Sequence, residues 1–247
     1  MRPVVKKNPG DSVSFENSQG QRVTSAIRAD YPDYGDAKWH LVGHLGQFCQ
    51  FCEGKKDFTD IEIEHLNPKA AGGAVTKWEN FLLACKSCNT VKPKAAINLE
   101  DYHWPHKNNT YLDFVYDDGG RVMVNPQIPA CSQAKATALM RLYHLDRWPG
   151  HSDTPSEKDY RWRNRVEAWT LAERYRKSFE SGCIAVEDIV TYVRDKGCWS
   201  IWFRVFAGID EVRKALIEEI PGTAACCFDA GNHYDPVPRN PGVDDCI

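Results

Sequence analysis

Nowhere in its 247 residues does this chain hold an apolar run near the roughly 18 residues a membrane-spanning helix needs, so no such helix is expected. Its basic opening, Met1 to Asp11, has no apolar stretch behind it, and a secretory signal is not expected either. Cytoplasmic localisation without a membrane partner follows as the expectation. An excess of positive charge is also missing, with 31 Lys and Arg against 34 Asp and Glu for a net charge of −3. Retention on a polyanion by global charge alone is therefore excluded. Internal repeats are absent. The 42% hydrophobic and 26% charged content is ordinary for a globular protein, which excludes disordered and fibrous classes. The length allows one large domain or two modest ones.

Cysteine is plentiful, at ten residues, but a secreted disulfide scaffold would be far shorter. Four cysteines form two Cys-x-x-Cys pairs, Cys49/Cys52 and Cys85/Cys88, a spacing that closes a tetrahedral zinc site. The other six (Cys131, Cys183, Cys198, Cys226, Cys227 and Cys246) share no spacing and read as reduced, buried or incidental thiols. Between and after the pairs lie Glu64-His65, Asn80 and Asn89. From His65 to Lys94 five lysines (Lys69, Lys77, Lys86, Lys92, Lys94) face one acid, Glu79, a local basic surface suited to phosphate.

Periodicity predicts an α+β, mainly helical chain. Residues 1 to about 30 read as an extended arm, and a short helix runs from Asp36 to Leu45 on the stripe Ala37, Leu41, Leu45. A zinc knuckle follows, then a strand over Ile61–Leu66, a Gly72-Gly73 loop, a second strand over Trp78–Leu83 and a helix from Lys86 to Lys92 ended by Pro93. Asp117-Asp118-Gly119-Gly120 joins a hairpin of Leu112–Tyr116 and Arg121–Val124. Beyond it Ser132 is expected to cap a helix with the stripe Ala138, Leu142, Leu145, and Thr154-Pro155-Ser156-Glu157 reads as a capping box opening a long one. Shorter helices are expected near Val186–Val193 and from Asp210 to Ile220, with the apolar run Trp199–Phe206 ambiguous. The boundaries drawn are an arm and helix over 1–45, a zinc-bearing unit with its hairpin over 46–127, a helical region over 128–220 and an irregular acidic tail over 221–247.

His65 is the natural general base, since imidazole takes a proton near neutral pH. Glu64 points to the other face of a regular strand, yet both can serve one site where the strand ends before Pro68. Glu64 and Asn89 offer hard oxygens suited to Mg²⁺ or Mn²⁺. Asn89 follows a zinc ligand directly, so the zinc would fix its place. Asn80 suits the binding of loop backbone and the orienting of His65. Lys69 is a candidate phosphate contact. His103 and His106, flanking Trp104-Pro105, read as a loop packed on the body, and the helix bearing Arg161, Arg163, Arg165, Arg174 and Arg176 reads first as a solvated face.

The order Cys-x-x-Cys, Glu-His, Asn, Cys-x-x-Cys-Asn over roughly residues 46 to 94 resembles the HNH, or ββα-metal, endonucleases carrying a four-cysteine zinc site. The resemblance implies His65 as base, Glu64 and Asn89 as ligands of a catalytic Mg²⁺ or Mn²⁺, Asn80 as loop anchor, and Cys49, Cys52, Cys85 and Cys88 on a structural Zn²⁺. That family usually has Asp where Glu64 stands, which sets the metal about one methylene further out, and often His where Asn89 stands. Met1-Arg2-Pro3, Ile63-Glu64-His65-Leu66-Asn67-Pro68-Lys69 and Trp78-Glu79-Asn80-Phe81-Leu82-Leu83 are similar to the PtuB-like HNH subunits of Septu and retron-associated anti-phage defence systems. This narrower resemblance implies a DNA substrate and an ABC-type ATPase partner, with a retron reverse transcriptase and its RNA/DNA as further company. Two alternatives stay open: a stand-alone HNH restriction or mobile-element nuclease, and a non-catalytic zinc-dependent module binding nucleic acid or protein.

Overall fold

A computed structural model describes residues 1–239, so the end of the expected tail, with Cys246, lies outside the described residues. The fold is mixed α+β and mainly helical. The N-terminal stretch departs from a plain arm, because β1 (Ser12–Glu16) and β2 (Arg22–Ala26) form an antiparallel hairpin. Only Val13 of these strands is buried, so no apolar alternation announced them. The hairpin packs on α1 (Ala37–Leu45), whose stripe Ala37, Leu41 and Leu45 is fully buried. Gly43, unfavourable in a helix, admits the strand: a Cβ there would stand 2.6 Å from Val13 Cγ1 and 3.0 Å from the Ser14 carbonyl.

The central unit is β3 (Ile61–His65), β4 (Phe81–Cys85) and α2 (Lys86–Val91). The strands pair antiparallel, with Glu64 opposite Leu82 and His65 opposite Phe81. The second strand begins later than expected because Trp78–Asn80 forms a 3-10 turn. All five residues of β4 are buried, so both faces of this hairpin are covered by other parts of the chain.

Next come α3 (Thr110–Asp113), β5 (Phe114–Tyr116) and β6 (Val122–Val124). The expected hairpin is present but its first strand is shorter. Asn109 caps α3 by accepting from the Tyr111 N–H at 3.1 Å, which makes residues 110–113 helical. In α4 (Ala130–Leu142) Ser132 lies inside the helix rather than at its cap, which Pro129 occupies; Leu142 is buried as expected, Ala136, Leu139 and Met140 join it in place of Ala138, and Leu145 is buried just past the helix end. The long helix α5 (Arg161–Glu180) starts after the Thr154–Glu157 box. Arg161, drawn inward and paired with Asp159 at 2.7 Å, sets that start. The run α6 (Val186–Lys196), α7 (Trp199–Val205) and α8 (Asp210–Glu219) follows, α7 settling the ambiguous apolar run as buried helix. A short pair, β7 (Phe228–Asp229) and β8 (Asp235–Pro236), ends the described elements.

Buried apolar residues from Met1 to Phe228 form one cluster. Its polar pin is Glu53, 6% exposed and in the left-handed region at φ 62°. Its carboxylate accepts from the Arg2 N–H at 2.9 Å and from the Ser200 N–H and Oγ, both at 2.7 Å. Among the other cysteines, Cys183, Cys198, Cys226 and Cys227 are in no disulfide, as expected, whereas Cys131 is disulfide-bonded.

Candidate active site and metal centre

The knuckle turn after Phe48 brings Cys49 and Cys52 together, and the junction of β4 and α2 brings Cys85 and Cys88. The four sulfurs lie within 4.8 Å of one another, and none is in a disulfide. Cys52 Sγ and Cys85 Sγ are 3.6 Å apart. Ligands about 2.3 Å from a tetrahedral zinc stand about 3.8 Å apart, so the donor set and its spacing fit zinc. Hydrogen bonding from Cys49 and its neighbours holds the Cys85 thiol far below its usual range, while burial pushes the Cys49 thiol well up. A cation is built in beside them, as Arg161 Nη1 donates to Cys88 Sγ at 3.3 Å. The arginine series of α5 is thus not one solvated face. Arg161 and Arg165 are buried and grip the carbonyls of Tyr143 and Gly120 at 2.7 Å each.

Beside this centre, His65 Nε2 meets the Val75 carbonyl at 2.9 Å. A carbonyl only accepts, so the ring carries its proton on Nε2 and a lone pair on Nδ1. Burial, with Lys69 and Lys92 nearby, lowers the His65 pKa below its ordinary value against the opposing pull of that carbonyl. The loop that supplies Val75 is held by Asn80. Its Oδ1 accepts from the Asn67 N–H at 2.7 Å, and its Nδ2 donates to the carbonyls of Asn67 at 3.0 Å and Ala74 at 2.8 Å.

Glu64 is 2% exposed, and Lys92 Nζ donates both to its Oε1 and to the His65 carbonyl. Its Oε2 is buried and makes no well-formed hydrogen bond among the described residues, and the buried Tyr143 hydroxyl beside the carboxyl is in the same position. Burial pushes the Glu64 carboxyl up and the Lys92 ammonium down, each opposed by the other's charge. Asn89 does not reach Glu64 and instead donates from Nδ2 to Glu62 Oε2 at 2.6 Å. Glu62 and Lys92 are thus site residues that reading for motifs missed. Alternation along β3 was the available signal for Glu62, since residues two apart share a face. Nothing comparable marked Lys92 as buried.

Glu62, Glu64, His65, Asn89 and Lys92 line one open cleft of about 780 Å³ with Tyr34, Lys38, Lys69 and Lys94, while Asn80 lies on a separate groove. Tyr34 packs edge-on against the His65 ring at 5.0 Å between centroids. Lys69 donates to the Tyr34 hydroxyl at 3.0 Å and stands over that ring at 4.2 Å, at the cleft rim. The five-lysine surface is divided, because Lys92 is buried and Lys77 pairs with Asp30 at 2.6 Å. His103 takes no part, being buried 3.1 Å from Asp113, and His106 lines a separate groove with Trp78 and Trp104.

Residues 49–96 match the family model described as HNH endonuclease. No curated protein matches the chain. The segment is therefore an HNH-like ββα unit with a four-cysteine cluster consistent with a structural zinc site. Among the described residues no helix is long and apolar enough to cross a membrane.

Proposed function

We propose that the chain is a metal-dependent endonuclease hydrolysing DNA phosphodiester bonds, an effector of an anti-phage defence system working with an ABC-type ATPase. The observation that carries the chemistry is His65, neutral and aimed by the Val75 carbonyl, in a cleft that Glu62, Glu64 and Asn89 also line. His65 Nδ1 takes the proton of the attacking water. Asn80 holds the Asn67–Val75 loop, and through it the ring, in that orientation. Lys69 and Lys94 at the cleft meet the phosphate charge. The hard oxygens of Glu64 fit a divalent cation, and Asn89, which lines the same cleft with its Nδ2 engaged by Glu62, offers its Oδ1. A bound Mg²⁺ or Mn²⁺ would supply Lewis acidity toward the phosphate and charge neutralisation at the leaving oxygen. The defence role, the ATPase and a retron reverse transcriptase with its RNA/DNA rest on the likeness of the Ile63–Lys69 and Trp78–Leu83 motifs alone. Without such a neighbour the same chemistry serves a stand-alone restriction or mobile-element nuclease.

One observation favours a second reading, a zinc-dependent binding module. Lys92 already neutralises Glu64 as a buried structural ion pair would. Plasmid cleavage with Mg²⁺ or Mn²⁺ decides between them. Wild type, with any ATPase encoded beside it, is expected to nick the plasmid, and His65→Ala is expected to lose cleavage while keeping its zinc. A wild type that binds DNA yet never nicks it with either metal leaves the binding module.

A further inference from the structure

A second pocket, of about 390 Å³, is lined in part by Cys52, Cys85 and Arg161 of the metal centre and shares no residue with the cleft around His65. Its basic residues come from three distant segments. The knuckle contributes Lys55 and Lys56, the approach to α5 contributes Lys158 and Tyr160, and the end of α6 contributes Lys196. The walls are pinned close, since Gly54 bridges Gly197 and the Cys198 N–H donates to the Glu53 carbonyl at 3.0 Å. Gly197, at φ 82°, is required there, as a Cβ would fall 2.2 Å from that carbonyl. Along the opposite wall, Arg161, Asn164 and Ala168 present one face of α5.

The lining holds five basic residues and one acid, Glu167, which is engaged by Arg163 at 3.0 Å. Among the described residues Lys56, Lys158 and Lys196 form no ion pair. In a chain of net charge −3, three unpaired lysines converging on one concavity form a local anion site. Cys52 and Cys85 line the pocket too, and a zinc tetrathiolate would carry two net negative charges, but the five cations of the lining exceed that charge together with Glu167. A second feature is aromatic. Tyr160 stands 56% exposed at the pocket, Tyr192 lines it, and Trp202 at its inner wall has an indole N–H with no acceptor among the described residues. Cations beside an exposed ring suit a ligand with both an oxyanion and a flat heterocycle. The volume lies at the lower end of small-ligand sites.

We propose that this pocket binds a phosphorylated nucleoside, its phosphate on Lys56, Lys158 and Lys196 and its base against Tyr160. The source is either a free nucleotide or the phosphorylated end of a nucleic-acid strand. The proposal is independent of whether the chain cleaves DNA. Ser87 in the pocket and Asn89 in the catalytic cleft belong to the same helix, α2, so an occupied pocket would bear on the element that presents Asn89.

Calorimetric titration of the full chain, zinc-loaded, tests it with inorganic phosphate, adenosine, AMP, and a short oligonucleotide carrying either a 5′-phosphate or a 5′-hydroxyl. AMP or the 5′-phosphorylated strand is expected to bind at least roughly tenfold more tightly than phosphate or adenosine. Which of the two binds identifies the source. Lys158→Glu/Lys196→Glu, and the milder Lys158→Gln/Lys196→Gln, are expected to weaken that binding roughly tenfold or more with zinc content unchanged. Lys6→Glu/Lys107→Glu, an equal charge change on the separate groove, is expected to leave it intact. The proposal is overturned if no probe saturates by about 1 mM, if phosphate binds as well as AMP and the phosphorylated strand, or if the groove variant weakens binding as much as the pocket variants.

Discussion

Glu64 and Lys92 hold opposite charges at 2% and 3% side-chain exposure, a costly arrangement unless both partners are present. Removing one member of a buried pair costs about 3–5 kcal/mol, because the other is left charged in a poor solvent. Lys92→Met is accordingly expected to destabilise by about 3 kcal/mol in urea unfolding, and Glu64→Gln/Lys92→Met to recover most of it. If Glu64 ligates a divalent metal, Mn²⁺ restores stability to Lys92→Met and not to the double variant, a readout free of activity. His65 carries its own signature. Its pKa lies below the ordinary value near 6.5, so the ring is uncharged at neutral pH. The acid limb of kcat/KM is expected below about pH 6.5, falling roughly tenfold per unit beneath it. An acid limb centred well above that value would mean another group is the base.

At the scale of elements, two packed units carry predictions. The ββα unit is short, two five-residue strands and a six-residue helix, and the four sulfurs tie its strand–helix junction to the knuckle. Cys85→Ser, or removal of zinc by a strong chelator, is expected to lose metal binding together with ordered structure in far-UV circular dichroism. Helix α1 carries the second. His44 donates from Nδ1 to the His40 carbonyl, and its Nε2 accepts from the Lys7 N–H at 3.4 Å. Burial holds its pKa down to about 4. The unfolded chain, with a pKa near 6.5, therefore binds the proton more readily, so stability is full above that value and is lost as pH falls toward 4. Between about pH 7 and 4 the wild type is expected to lose about 3 kcal/mol more than His44→Gln in urea unfolding. The elements also show where periodicity misleads. Thr154–Glu157 has the residues of a capping box and opens no helix, because α5 begins where Arg161 is anchored by the Tyr143 carbonyl and Asp159. The β1–β2 hairpin was invisible for the opposite reason, as only Val13 among its strand residues is buried.

Across the whole molecule, contacts join segments far apart in the chain. Arg161 of α5 reaches Cys88 in α2, and Glu53 of the knuckle gathers Arg2 and Ser200. Residues 46–127 expressed alone are therefore expected to hold zinc weakly and unfold without a cooperative transition, measured by zinc stoichiometry and calorimetry. Glu53→Ala leaves buried donors on Arg2 and Ser200 without an acceptor, at about 1–3 kcal/mol each. It is expected to lower stability by at least about 3 kcal/mol, with Glu53→Gln in between, read from urea unfolding.

The donor sets were determined by the sequence itself. Cys-x-x-Cys, Glu64-His65 and the Asn after Cys88 hold their chemistry through covalent adjacency, so spacing alone exposes them. The short-range turn at Asp117–Gly120 was legible for the same reason. The partners of those donors were decided only by the tertiary structure. Which carboxylate Asn89 meets, which lysine lies buried on Glu64 and which arginine faces Cys88 depend on strand register and helix rotation. Residues 27, 28 and 73 positions apart are brought together there by packing of the whole core, and no local pattern records that.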